Sequence, residues 1–137
     1  MLARYVFHRS WLRPSTGQVH HSVFVPLPGA SGLSTFDIAG LADVDVWRHG
    51  DEHVASRQQP PNDQIVARAD VASEVVEAVG LAIQVSEPPP RHRQLVGWKF
   101  DRAEQQLTAK ALARASRMVE RPNRKKADDP LMRDAPR

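Results

Sequence analysis

The first quarter of the chain alternates between apolar and polar residues, and this alternation predicts β-strands. Three aromatic side chains within residues 3–12 fall on one face of an extended chain, with apolar residues on the other face, as in a strand buried on both sides. Turn-forming residues occupy positions 14–17, and three valines share one face of residues 19–25. The pattern therefore predicts an antiparallel hairpin over residues 3–26.

Three shorter alternating runs predict further strands, at residues 34–39, 65–71 and 81–85. Apolar residues recur at helical spacing over residues 42–56 and predict one central helix, although Gly50 weakens such a helix by about 1 kcal/mol relative to alanine. Residues 73–80 are compatible with a short helix by spacing and with a strand by their β-branched valines. Residues 58–63 are polar and contain two prolines, as in a surface connection.

The clearest helix of the sequence begins after Asp101. This residue can accept a hydrogen bond as the N-cap, and Glu104 three positions later completes the capping-box spacing. An apolar stripe at helical spacing follows, formed by Ala103, Leu107, Ala111, Ala115 and Met118. A row of cations lies beside it, formed by Lys110, Arg114, Arg117 and Arg121. The pattern predicts a helix to about residue 120 that packs through the stripe, with its cations either solvated or in contact with an anion.

Charge is distributed unevenly along the 137 residues. Residues 91–137 contain thirteen Lys/Arg against six Asp/Glu, a balance of +7, whereas residues 1–57 balance at zero and residues 58–90 at −4. Beyond residue 120 the chain is rich in charge and proline and has little to bury, which predicts a disordered basic tail over residues 121–137. Residues 1–120 then suit one domain. The predicted fold class is α+β, a mainly antiparallel sheet with one central helix and a packed C-terminal helix.

Composition and missing motifs exclude several classes of protein. The chain has no cysteine, so disulfides and thiolate metal sites are excluded. Arginines interrupt the apolar residues near the N-terminus, and no apolar run approaches the roughly 20 residues of a membrane span. The common glycine-rich phosphate loops are also missing. We therefore expect a cytoplasmic protein with no cofactor and no membrane partner, in an oligomeric state that the sequence leaves open.

One string matches a catalytic motif. His49, Glu52 and His53 fit the H-x-x-E-H pattern of inverted zinc peptidases, in which two histidines on one helix face hold zinc and a carboxylate activates water. Such a site needs a third protein ligand, for which Glu74 and Glu77 are the obvious candidates. An exposed polar helix face explains the string more simply, so we expect no metal and keep a small zinc-dependent hydrolase as an alternative.

Basic and aromatic residues cluster before and along the C-terminal helix. Three prolines at positions 88–90 hold the backbone extended, so the residues that follow would form a loop able to clamp a carboxylate or phosphate. The candidate residues for binding a partner or an anion are Arg91, His92, Arg93, Trp98, Lys99, Lys110, Arg114 and Arg117. Solvated arginines and a tryptophan packed on the core would account for the same pattern.

The same region resembles known sequences. The run Pro88-Pro89-Pro90-Arg91-His92, then Val96-Gly97-Trp98, then a Gln-containing, alanine-rich helix resembles a family of small uncharacterised bacterial proteins. These proteins also open on a strand similar to Arg4-Tyr5-Val6-Phe7, so the resemblance covers about residues 4–119. They more often have proline after the Gly-Trp pair, where this chain has Lys99. The resemblance implies no particular activity.

No complete catalytic constellation emerges from these motifs, so the sequence predicts a small non-catalytic binding or accessory module. Its basic C-terminal surface would contact a protein or another anionic partner. A nucleic-acid-binding accessory protein is the alternative, since the same charges would attract phosphates, although no nucleic-acid-binding motif is present. The two basic segments form one surface only if the C-terminal helix packs beside the segment at residues 91–93.

Overall fold

The computed structural model describes residues 1–57 and 64–122. Its eight strands are β1 (Leu2–Val6), β2 (Leu12–Arg13), β3 (Gln18–Val19), β4 (Gly32–Asp37), β5 (Ala67–Val71), β6 (Ala82–Val85), β7 (His92–Val96) and β8 (Arg117–Glu120). Its α-helices are α1 (Asp43–His53), α2 (Ser73–Ala78) and α3 (Arg102–Ala115). Six strands form an antiparallel sheet in the order β6-β7-β4-β1-β5-β8, and β2 pairs with β3 in a separate ribbon. The predicted α+β class with a mainly antiparallel sheet is confirmed.

Strand β1 lies near the middle of the sheet and contributes to a hydrophobic core on each face. Because side chains alternate along a strand, Leu2 and Val6 point into the core that includes Leu112 of α3. Ala3 and Tyr5 point into the opposite core, with Val46 and Trp47 of α1. The sheet is therefore covered by α1 on one face and by α3 on the other.

The predicted hairpin over residues 3–26 is wrong. Strand β1 ends at Val6 and pairs with β4 and β5, while the turn at residues 14–17 closes only the short β2–β3 ribbon. Residues 21–24 form a 3₁₀-helix, because a ring nitrogen of His20 accepts a hydrogen bond from the Ser22 amide at 3.1 Å and caps it. A local cap thus overrides the β-propensity of the valines there.

Helix α3 begins as predicted, with the Asp101 carboxylate accepting from the Glu104 amide at 3.3 Å. It ends at Ala115 rather than near residue 120, because β8 leaves the helix to pair with β5. The predicted apolar stripe is also wrong. The residues that α3 buries are Ala109, Leu112 and Ala113, whereas Leu107 is 66% exposed.

The other predicted elements correspond to β4, α1, β5 and β6, and the ambiguous residues 73–80 contain helix α2. The sequence did not predict β7. The predicted surface connection at residues 58–63 and residues 123–137 of the predicted basic tail, including Arg124, Lys125 and Lys126, lie outside the described residues. Arg121, the first residue of that predicted tail, is described and makes an ion pair with Asp51 at 2.6 Å. None of the helices in the described ranges combines the length and apolar character needed to cross a membrane.

Candidate binding surface

The predicted clamp of Arg91, His92 and Arg93 does not form. His92 and Arg93 belong to strand β7, where they pair with Phe36 and Thr35 of β4. Adjacent strand residues point to opposite faces of a sheet, so these two side chains diverge. A loop at residues 91–93 was expected because of the prolines at positions 88–90. The strand pairs there with the nearby β6 and with β4, which is distant in sequence.

All three of these side chains have partners inside the protein. Nη1 of Arg91 donates to the carbonyl oxygens of Asp37 and Ala39, each at 3.0 Å. Arg93 makes an ion pair with Glu87 at 3.1 Å and a longer one with Asp37 at 3.7 Å. These contacts tie β7 to the neighbouring chain segments and leave the arginines less available to a partner.

The imidazole of His92 is held between two groups. Its Nδ1 lies 2.9 Å from the carbonyl oxygen of Ser86, and its Nε2 lies 3.0 Å from the hydroxyl oxygen of Ser34. Because a carbonyl oxygen only accepts, Nδ1 carries the proton and donates. Nε2 accepts from the Ser34 hydroxyl when the ring is neutral and donates to it when the ring is charged.

The remaining predicted site residues do not form one continuous row of charge. Arg117 pairs in register with Asp70 of β5, on the face that α1 covers, because Ala69 and Val71 belong to the opposite core. Lys110 and Arg114 lie on α3, across the sheet from Arg117. The predicted helical ridge is therefore divided between two faces of the molecule.

Helix α3 packs on the 3₁₀-helix at residues 21–24, on α2, on β3 and on β5. None of these principal contacts places α3 beside residues 91–93, so the two basic segments do not form the single surface that the sequence analysis required. Trp98, at the far end of β7, is partly buried against the core, and its Nε1 donates to the carbonyl oxygen of Leu95 at 2.9 Å. Packing on the core is thus what positions this tryptophan.

Three of the predicted site residues, Lys99, Lys110 and Arg114, lie on helix α3 or just before it. Together with Phe100, which the sequence did not indicate as a site residue, and Leu107, which it predicted to be buried, we call them the α3 surface: Lys99, Phe100, Leu107, Lys110 and Arg114. The last three are separated by three and four positions and so share one side of the helix. Phe100 is 103% exposed and Leu107 66% exposed. Within residues 1–57 and 64–122, none of the three cations forms an ion pair.

Lys110 of the α3 surface lies close to the 3₁₀-helix at residues 21–24. Burial lowers the pKa of His21, and the charges of His20 and Lys110 lower it further. The two histidine rings lie 4.2 Å apart, between centroids. The charge of Lys110 is therefore near enough to His21 to influence its titration.

His49 faces the sheet instead of forming part of an exposed polar face. Its Nε2 lies 2.8 Å from the carbonyl oxygen of Pro90, its Nδ1 lies 3.3 Å from the hydroxyl of Tyr5, and its ring packs 4.9 Å from that of Phe36. Burial lowers the pKa of His49. Both ring nitrogens are thus engaged, and no group of three or more His, Asp or Glu in the described chain could hold a metal ion. The geometry gives the zinc-hydrolase alternative no support.

Arg4 belongs to a second candidate binding site, which the sequence pattern did not indicate. This arginine interrupts the otherwise apolar centre of β1 and lines a cleft of about 340 Å³. A charged residue within a buried strand costs solvation energy unless it is paired. An arginine at the centre of an apolar strand was therefore the sequence signal for this site. The alternating aromatic residues of the same segment indicated only a buried strand.

No protein-family model, curated protein or solved structure matches this chain.

Proposed function

We propose that the protein is a non-catalytic accessory module that binds an acidic segment of a partner protein on the α3 surface. The observation that carries this proposal is that the exposed Leu107 shares one side of α3 with Lys110 and Arg114, which have no ion-pair partner among the described residues, while the exposed Phe100 lies just before the helix. Exposed apolar residues are ordinary when scattered, but a group of them bordered by polar residues is typical of interaction sites.

Charge complementarity selects the partner's chemistry. Lys99 and Arg114 flank the apolar pair from opposite ends in sequence, so an acidic segment with apolar anchors would satisfy both kinds of contact. Such a segment gains affinity mainly from burying its anchors, while the charges orient it and speed its association. A nucleic acid would use the cations but gain little from the apolar pair, unless bases stack on Phe100.

The test is quantitative capture of proteins from the source cells with the wild-type chain and with the double variant Lys110→Glu/Arg114→Glu. We expect the double variant to capture at least about tenfold less of the partner protein than wild type does, because each charge reversal replaces attraction by repulsion. The captured protein should carry an acidic segment that binds as an isolated peptide, more weakly at high salt.

The matched control is Arg48→Glu, which reverses an equally exposed arginine on α1 and should leave capture unchanged. Equal loss in the control and in the α3 variant would show a general charge effect and reject the α3 surface. Tight binding of labelled DNA or RNA at about 50 mM salt, lost in the double variant, would replace the proposal by the nucleic-acid alternative.

A further inference from the structure

Strands β1 and β4 diverge partway along their length, and the cleft of about 340 Å³ opens there. The two strands pair only at Leu2–Asp37 and Ala3–Phe36; beyond that point β1 continues along β5 and β4 along β7. Arg4 spans the gap. Its Nη1 donates to the carbonyl oxygen of Ser34 and its Nε to that of Val23, each at 3.0 Å.

Among the described residues, basic side chains line this cleft and carboxylates do not. The basic lining residues are Arg4, His53, Arg57 and His92. In the described ranges neither arginine forms an ion pair with a carboxylate. The cleft is therefore lined by two fixed positive charges that no described carboxylate neutralises.

Arg4 is the most costly of these charges. Burial lowers its pKa to about 10, and no neighbouring carboxylate opposes this effect. Two of its three nitrogens donate to carbonyl oxygens, while Nη2 has no acceptor among the described residues. A partly buried cation with a spare donor gains more from an incoming anion than a fully exposed cation does.

The rest of the lining is apolar or carries a hydroxyl. Val54 and Pro89 form apolar wall with the Phe36 ring, and Ser34 contributes a hydroxyl beside His92. The volume is within the range of small-molecule sites, roughly 300–1,000 Å³. A ligand that complements this lining would have an anionic group to contact the arginines and a compact apolar body to contact the apolar wall.

We propose that this cleft binds a phosphate monoester with a small apolar body. Two guanidinium groups reach the cleft from different elements, Arg4 from β1 and Arg57 from the 3₁₀-helix Ala55–Arg57. A phosphate offers three terminal oxygens to two such groups, whereas a carboxylate offers two. A phosphate monoester is also a dianion near neutral pH, which matches the two fixed charges.

This site is independent of the α3 surface, because α1 supplies His53 and α1 lies on the opposite face of the sheet from α3. Each proposal can therefore fail alone.

Isothermal titration of the full chain with phenyl phosphate, at about pH 7.5 so that the ester is a dianion, tests the site. We expect a dissociation constant below about 1 mM. Benzoate, which keeps the ring but has a single charge, should bind at least about tenfold more weakly, as should inorganic phosphate, which lacks the apolar body. Arg57→Gln should weaken phenyl phosphate by at least about tenfold, the effect of one charge-assisted hydrogen bond.

The matched control is Arg48→Gln, which removes an arginine from the same side of the sheet but outside the cleft and should bind phenyl phosphate like wild type. Arg57 is exposed, so its replacement should preserve the fold. Three results would each overturn the proposal: no binding at about 10 mM phenyl phosphate, benzoate or inorganic phosphate binding as tightly as the ester, or an Arg57→Gln variant that binds as tightly as wild type.

Discussion

The arginines of this protein differ in what they contact, and these contacts determine which of them are available to bind a partner. Arg91 and Arg4 donate to main-chain carbonyl oxygens, so their first role is to join strands to neighbouring segments. Arg114 has no ion-pair partner in the described part of the chain. At the residue scale, the cations of the α3 surface are available to a partner protein, whereas the guanidinium group of Arg91 is already engaged.

Gly50 shows how packing reverses an intrinsic preference. Replacing a helical glycine by alanine ordinarily stabilises a helix by about 1 kcal/mol. Here an added Cβ would lie 2.6 Å from Cδ1 of Ile65 and 2.7 Å from Cε1 of Tyr5. The Tyr5 ring cannot easily move, because its hydroxyl donates to the carbonyl oxygen of Val46 at 2.7 Å. We expect Gly50→Ala to lower the free energy of unfolding by about 1–3 kcal/mol, measured by urea denaturation.

The comparison variant is Arg48→Ala, an exposed substitution in the same helix that should change stability by less than about 0.5 kcal/mol. A Gly50→Ala protein that is as stable as wild type, or more stable, would contradict the close packing of α1 on Tyr5.

At the scale of elements, the start of helix α3 is determined by local sequence, whereas its end is determined by contacts with distant residues. Its start was predictable because the cap of Asp101 on Glu104 lies within four residues. Its end was not, because β8 forms by pairing with β5, about fifty residues away in sequence. The same reason explains why β1 was assigned to the wrong partner strand, since it pairs with β4 and β5. Strand β7 was missed although one of its partners, β6, is nearby in sequence, because the prolines at positions 88–90 indicated a loop.

The cap of α3 gives a quantitative prediction. Asp101→Ala removes the side-chain oxygen that accepts from the Glu104 amide, and should lower the free energy of unfolding by about 1 kcal/mol. Asp101→Asn keeps an acceptor at the same position and should retain most of that stability. If both variants unfold at the same urea concentration as wild type, the cap contributes nothing to the stability of α3.

At the scale of the whole molecule, the strand order determines which charges can act together. Strands β7 and β8 are separated by β4, β1 and β5, so the basic segments around Arg93 and Arg117 lie far apart in the sheet. Sequence patterns identified Lys110 and Arg114 as surface cations but placed Leu107 in the core. They could not distinguish the two sides of α3, because the partners that bury Leu112 come from distant elements.

The most direct test of the central claim is site-specific photo-crosslinking in the source cells. A photoreactive phenylalanine analogue is placed at position 100 or 107 of the α3 surface, and at Val44 or Val85 as controls, which are 61% and 66% exposed. We predict crosslinks to one acidic protein from positions 100 and 107 only. Crosslinks that arise equally from all four positions, or only from the two control positions, would contradict the α3 surface as the binding site.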